Sequence, residues 1–412
     1  MKNKIKQLLK NKDAKSLIEN FFSLGALQVI NLILPLVVLP YMIKTVGFDK
    51  YGVVVLAASL IAYFSSVTDY SFTITATRDV AVFRDSPQKI NIIYSKVLIV
   101  KSILLLFSWL IIGIIVFAYL PFYEEKTVFF CSALMLFGYV LFPEWFFQGI
   151  EKMKFIAFLN VGIKVFFTAC IFILVRTPED YWKYALLNSI GYIGAGLIGQ
   201  YLLIKKYKLK FIWLKNKYIR QTFKSNFPVF INRFVPNLYN NTSTFLLGVL
   251  ANTSSVGLYD AIKKIIDLGV MVISVISRVF FPYLNRNKAG FAQYMKGMII
   301  VGAILAVSPI IFYKIVFWYL NIQDADAFWV LLVLSIGLFF ITLYDVFGLN
   351  YFIVNRKDKI VMRNTLMASL VGLVLAYPLI SFFGIIGAAL NLTLARVIMG
   401  AGMTYNYIKK KV

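Results

Sequence analysis

The sequence predicts an all-α integral membrane protein of about 12 transmembrane helices, arranged as two six-helix bundles. Three observations predict it. Apolar runs long enough to cross a bilayer follow one another along the 412 residues, lysine and arginine gather on one set of alternate connections, and a short segment of the first half recurs in the second. About 20 apolar residues cross a hydrocarbon core as a helix. Composition agrees, because hydrophobic residues make up 60% of the chain and charged residues 15%, a balance that a water-soluble domain could neither bury nor keep in solution.

The spans are read in order. The first, near 20–43, contains Pro35 and Pro40, and the second, near 52–73, is opened by Val46-Gly47-Phe48-Asp49-Lys50-Tyr51-Gly52. The third, near 97–120, carries Lys101; the fourth, near 127–148, carries Cys131 and Glu144; the fifth, near 155–175, carries Lys164 and Cys170. The sixth, near 184–204, ends at the longest basic connection, about Lys205 to Lys224. The seventh, near 227–250, holds Pro228 and Pro236, and the eighth, near 257–283, opens on Ser255-Val256-Gly257-Leu258-Tyr259-Asp260, an echo of the segment before span two. Four further runs lie near 298–320, 327–352, 361–383 and 385–407. Prolines remove backbone hydrogen bonds and kink a helix, which is tolerated in a span that lines a polar cavity. The echo and the basic midpoint divide the chain into halves, 1–210 and 211–412. With six spans each, the halves share one orientation and leave a cleft between them.

The net charge of +25 is placed, not spread. Of 43 lysines and arginines, 30 lie at the termini and in or beside alternate connections; Lys44, Lys50, Lys126, Arg176, Lys183 and Lys314 are on the other side. The positive-inside rule then puts both termini in the cytoplasm, as an even span count also requires. Basic runs beside spans anchor against anionic membrane lipids, so no nucleic acid is expected as a partner. The N-terminal MKNKIKQLLKNKDAKSLIEN lacks the cleavable core of a signal peptide, and the first span is expected to direct the chain to the membrane. There is no histidine, which removes histidine triads, histidine metal ligands and histidine proton relays. Without a GxxxxGK[ST] loop for ATP, any energy must come from an ion gradient, the membrane potential or the substrate gradient. No cofactor and no metal are expected. The two cysteines are read as packing residues, with a disulfide as the alternative.

Intramembrane charges normally point toward partners or water. Arg233, Asn237 and Asn241 share one face of span seven, a cation followed by two amides. Asp260, Lys264, Asp267, Met271, Ser274 and Arg278 form a continuous stripe on span eight, in which Asp260 with Lys264 and Lys263 with Asp267 are spaced to neutralise each other. Arg233 has no acidic neighbour on its own span, and its planar fork suits phosphate oxygens. Gln28, Asn31 and Pro35 make a weaker stripe in span one. Lys164 lies deep in span five, whereas Lys101, close to the inner edge, is read as snorkelling to the interface. The carboxylates Asp69, Glu144, Asp267 and Asp345 are candidates to exchange H+ or bind Na+, with structural pairing to lysine or arginine the alternative reading of each.

Three stretches resemble the bacterial polysaccharide-repeat flippases, the O-antigen translocases. They are Asp69-Tyr70-Ser71-Phe72-Thr73-Ile74-Thr75-Ala76-Thr77-Arg78-Asp79 with Phe83-Arg84-Asp85; Phe142-Pro143-Glu144-Trp145-Phe146-Phe147-Gln148-Gly149-Ile150-Glu151-Lys152-Met153; and Leu34 to Tyr41 with Gly47, Tyr51 and Gly52. The resemblance runs over essentially the whole chain, and at Ser71 the family usually has glycine. It implies membership of the superfamily that includes multidrug extruders and the peptidoglycan-precursor flippase, with two six-helix bundles around a central V-shaped cavity opening alternately to either side. It implies a location in the bacterial inner membrane and a lipid-linked oligosaccharide substrate, a repeat unit on undecaprenyl diphosphate, with a polysaccharide polymerase and a chain-length regulator as partners. On that reading Arg78 and Arg84 recruit the anionic head, and Arg233 with neighbouring cations takes up the diphosphate while the polyprenyl tail stays in lipid. Two rivals remain, a cation-coupled small-molecule or drug exporter of the same superfamily and a multi-span membrane glycan-processing enzyme. The second would be expected to carry a large external loop of clustered functional groups, which is absent here.

Overall fold

The computed structural model describes residues 12–409, which are helical almost throughout and contain no strand. That follows from the solvent: in hydrocarbon every backbone N–H and C=O must be satisfied within its own segment. Eight stretches are long and apolar enough to cross a membrane. Two of them, Ile33–Phe83 and Asp358–Lys409, are each divided by a glycine outside helical geometry, Gly47 (φ 80°, ψ 167°) and Gly384 (φ 52°, ψ −126°). With two shorter apolar helices, Asn160–Leu174 and Asn241–Leu250, they account for the twelve spans expected. Gly47 marks the first hairpin because its positive φ costs a side-chain-free residue little.

Local chemistry sets the remaining boundaries. The first two spans form Lys12–Asp69, whose backbone stays helical through Pro35 and Pro40. Tyr70 (φ 44°) and Ser71 (φ 61°) then break the helix before Phe72–Phe83. The left-handed geometry at Ser71 accounts for glycine being usual there. The third span, Pro87–Ala118, starts with proline in its first turn, where the missing N–H has no intrahelical partner to lose. The fourth was expected as one helix and is instead Lys126–Ala133, Met135–Leu141 and Glu144–Gly149, interrupted at Phe142 and Pro143. Pro143 cannot donate and forces Phe142 into extended geometry. Helices Met153–Leu174, Tyr181–Lys205, Asn216–Leu250, Thr253–Arg286, Phe291–Ile311 and Asp326–Leu343 follow, the last continuing as a π-helix over Tyr344–Ile353. Asn252 caps the eighth span, its Oδ1 accepting from the Ser255 N–H at 2.8 Å.

The chain forms two compact units, Met1–Val38 with Ile61–Phe234, and Leu39–Leu60 with Val235–Val412. The first helix passes from one unit to the other between Pro35 and Pro40, and the seventh does so beside Pro236. In the N-terminal unit, Tyr70, Phe72, Val80, Trp145, Phe146 and Phe147 share one hydrophobic core. The two motif stretches are therefore packed on each other. The Thr77 hydroxyl donates to the Trp145 carbonyl at 3.1 Å, and a Cβ on Gly149 would strike Val80.

In the C-terminal unit the two echoing segments meet. A Cβ on Gly52 would overlap the Thr253 carbonyl, and one on Gly257 the Phe48 carbonyl, so only paired glycines allow these backbones to approach. The Thr253 hydroxyl donates to Asp49 across the same contact. Cys131 and Cys170 are free thiols.

Candidate functional site

Five ionisable groups gather inside the N-terminal unit. Asp69 closes the second span, Glu144 opens the short helix after Pro143, Lys101 comes from the third span, Lys164 from the fifth and Arg233 from the seventh. Lys101, Lys164 and Arg233 all act electrostatically on Glu144, and Lys101 and Arg233 act on Asp69. Lys101 Nζ contacts Asp69 Oδ1 at 3.1 Å, and the same oxygen accepts from Thr73 at 2.8 Å. The snorkelling expected of Lys101 is thereby corrected. The residue is only 3% exposed, because the Asp69 carboxylate offers its ammonium a closer partner than the interface does. Glu144 accepts from Gln148 Nε2 at 2.7 Å, one helical turn on.

The balance is three cations against two carboxylates. Arg233 is exposed and makes no contact ion pair among the described residues. Lys164 Nζ stands 5.1 Å above the Tyr192 ring and lines a cavity of about 210 Å³ within this unit, with Asn160, Thr168, Tyr184, Asn188 and Tyr192. Pro35 of the first span also lines it. One ammonium, two amides, a hydroxyl and two phenols in one hollow suit an anionic, hydroxyl-rich ligand: the cation attracts phosphate, the amides and hydroxyls pair with sugar hydroxyls, and the rings offer flat apolar faces.

The C-terminal unit carries its own charges in a different arrangement. Lys264 Nζ lies 2.6 Å from Asp260 Oδ2 and 2.5 Å from the Tyr51 hydroxyl, which itself donates to Asp260 Oδ2 at 2.6 Å. Lys263 pairs with Asp267 at 3.0 Å, and Arg396 approaches the other Asp267 oxygen at 3.3 Å. Both i,i+4 pairings read in span eight are formed. Arg396 is 7% exposed, and its second terminal nitrogen has no hydrogen-bond partner among the described residues. Asp345 sits in the π-helical turn with no contact cation among the described residues; Ser277 Oγ donates to it at 3.3 Å, and Asn350 Nδ2 donates to Ser277 Oγ at 2.5 Å and to Tyr294 Oη at 2.9 Å. Arg278 is exposed and acts on Asp345 electrostatically.

Other sequence-predicted residues are scattered. Arg78 is exposed on the helix Phe72–Phe83, 3.7 Å from its neighbour Asp79. Asn241 is half-buried with a partner of its own. The side chains of Gln28, Asn31 and Asn237 lie outside the described residues. Sequence reading passed over Arg396, Tyr51 and Tyr192. Arg396 is an arginine inside an apolar span, a signal that was legible, whereas Tyr51 and Tyr192 differ from the other 23 tyrosines only by position in space.

Two apolar helical units with polar interiors define a multi-span membrane protein of the transporter type. The fold is shared with a lipid II flippase, MurJ, in an inward closed conformation (TM-score 0.74, 14% identity, 95% of this chain and 87% of that one). It is shared also with an inward-facing multidrug resistance transporter of the MATE family and MOP superfamily (TM-score 0.67, 12% identity, 94% and 98%). The chain belongs to the polysaccharide biosynthesis protein family, whose pattern matches residues 17–288. A relative from Escherichia coli (strain K12), named as a candidate O-antigen transporter, is 26% identical over 397 residues, covering 93% of this chain and 94% of its own.

Proposed function

We propose that the protein is a flippase, not an enzyme, that moves an oligosaccharide repeat on undecaprenyl diphosphate from the cytoplasmic to the outer leaflet of a bacterial inner membrane by alternating access. The observation that carries this reading is the pair of cations of the N-terminal unit, Arg233, which is exposed and makes no contact ion pair among the described residues, and Lys164, which lines a hollow of amides and phenols. Family membership and the name of the Escherichia coli relative support the substrate class. In the proposed cycle Arg233 and Lys164 hold the diphosphate, the Asn160 and Asn188 amides meet the first sugars, and the tail stays in lipid. Drawing the tail through water would cost roughly 0.8 kcal/mol per CH2 group, more than a binding site returns for a polyprenyl chain. The orientation rests on the one-sided cations, which put both termini in the cytoplasm.

A cation-coupled drug exporter would use an available intramembrane carboxylate; Asp69 and Asp267 are engaged with Lys101, and with Lys263 and Arg396, which leaves Glu144 and Asp345 as the carboxylates such an exporter would need. The test replaces Arg233 with alanine and with lysine in cells whose surface glycan depends on this protein. Surface glycan is expected to fall about tenfold or more with alanine and to recover in part with lysine, which keeps the charge and loses the fork. Full glycan in the alanine variant at normal abundance removes Arg233 from the mechanism.

A further inference from the structure

A second pocket of the N-terminal unit lies where three basic connections converge. Arg84 follows the helix Phe72–Phe83, Lys152 precedes the fifth span and Lys208 follows the sixth, and together they line a hollow of about 250 Å³. Its floor is apolar, made by Pro87, Ile90, Phe146, Ile150 and Leu209. Among the described residues no carboxylate lines it; Asp85 and Glu151, next in sequence to Arg84 and Lys152, are outside the lining.

The wall is built, not a chance gathering of surface lysines. Asn91 Oδ1 accepts from the Lys210 N–H at 2.9 Å and Ser95 Oγ from the Ile212 N–H at 2.7 Å, which ties the connection after the sixth span along the third. Lys208 takes a left-handed turn (φ 54°) and Leu209 is buried. Tyr207 is also in the lining, and its hydroxyl is buried with no hydrogen-bond partner among the described residues. A buried donor without an acceptor beside three cations is short of an anion.

We infer that this pocket is a headgroup site for a phosphate-bearing lipid, with the phosphate between Arg84, Lys152 and Lys208, the Tyr207 hydroxyl donating to it, and the first methylenes of the chain along Pro87, Ile150 and Leu209. The hollow is several times the roughly 30 Å³ share of one water, room enough for a phosphate headgroup. Two lipids present this chemistry, an anionic phospholipid of the bilayer and the polyprenyl diphosphate of the proposed substrate; the second rests on the flippase reading.

The test is native mass spectrometry of the purified full chain with dioleoylphosphatidylglycerol, with dioleoylphosphatidylcholine, and with phosphatidylglycerol competed by farnesyl diphosphate. The chain is expected to retain phosphatidylglycerol in preference to phosphatidylcholine. The combined Arg84→Gln, Lys152→Gln and Lys208→Gln variant is expected to lose retention about tenfold. The charge-matched Lys314→Gln, Lys357→Gln and Lys359→Gln variant is expected to keep it, and Arg84→Lys, Lys152→Arg and Lys208→Arg together to restore it. Displacement by farnesyl diphosphate assigns the pocket to the diphosphate, and its absence to the phospholipid. Equal retention by wild type and the triple glutamine variant, or no preference between the two phospholipids, overturns the inference. Neither result touches Arg233, whose test is surface glycan.

Discussion

The two units carry the same charges in different states of repair. Each places three cations near two carboxylates: Lys101, Lys164 and Arg233 with Asp69 and Glu144 in one, Lys263, Lys264 and Arg396 with Asp260 and Asp267 in the other. In the C-terminal unit all three cations lie within 3.3 Å of a carboxylate oxygen. In the N-terminal unit Lys101 does, Arg233 is exposed with no contact ion pair among the described residues, and Lys164 lies over a tyrosine ring and lines a cavity. Paired charges hold helices together; a cation left over inside a membrane protein is costly and is retained where it meets an anionic ligand. Lys263, Lys264 and Arg396 thus serve the fold of the C-terminal unit, where Arg278 stays exposed, and Arg233 is the cation of the N-terminal unit with spare binding capacity.

The comparison breaks most readily at Lys101. Lys101→Met strands the Asp69 carboxylate, and unfolding measured in detergent should show a loss of about 3 kcal/mol, most of it returned by adding Asp69→Asn. If Lys101→Met is neutral, the Lys101–Asp69 pair does not hold these helices together and the premise that a close intramembrane pair is a structural one fails. A smaller effect is expected at the glycine contact of the C-terminal unit. Gly257→Val should cost about 1–3 kcal/mol, because the atom it would strike is a backbone carbonyl that cannot rotate aside. The smallest effect sharpens the junction at which the N-terminal motif begins. Ser71→Gly should raise stability by about 1 kcal/mol by relieving left-handed geometry, and a loss on thermal unfolding would show that the serine hydroxyl matters more than the backbone.

Much of this was legible in the sequence, and for identifiable reasons. Span count follows from the length of apolar runs, and the pairs in span eight follow from i,i+4 spacing, both properties local to one helix. The echo around Gly52 and Gly257 was visible as a repeat, but its contact was not, since two segments about 200 residues apart in sequence meet only through folding. Lys101 was misread because distance from a helix end says nothing of a carboxylate on another span. Arg396 could have been noticed as an arginine inside an apolar span, but its partner, Asp267, 129 residues away, could not have been read from the sequence. The break at Phe142 and Pro143 was written in the proline, and a span-length window averaged it away.

The most direct measurement is the affinity of the purified full chain in lipid nanodiscs for undecaprenyl diphosphate, compared between Arg233→Gln and Lys264→Gln, one substitution in each unit. The imbalance predicts binding about tenfold weaker for Arg233→Gln and near wild type for Lys264→Gln, whose ammonium is committed to Asp260 and Tyr51. Equal affinities in the two variants, or a loss confined to Lys264→Gln, would contradict it.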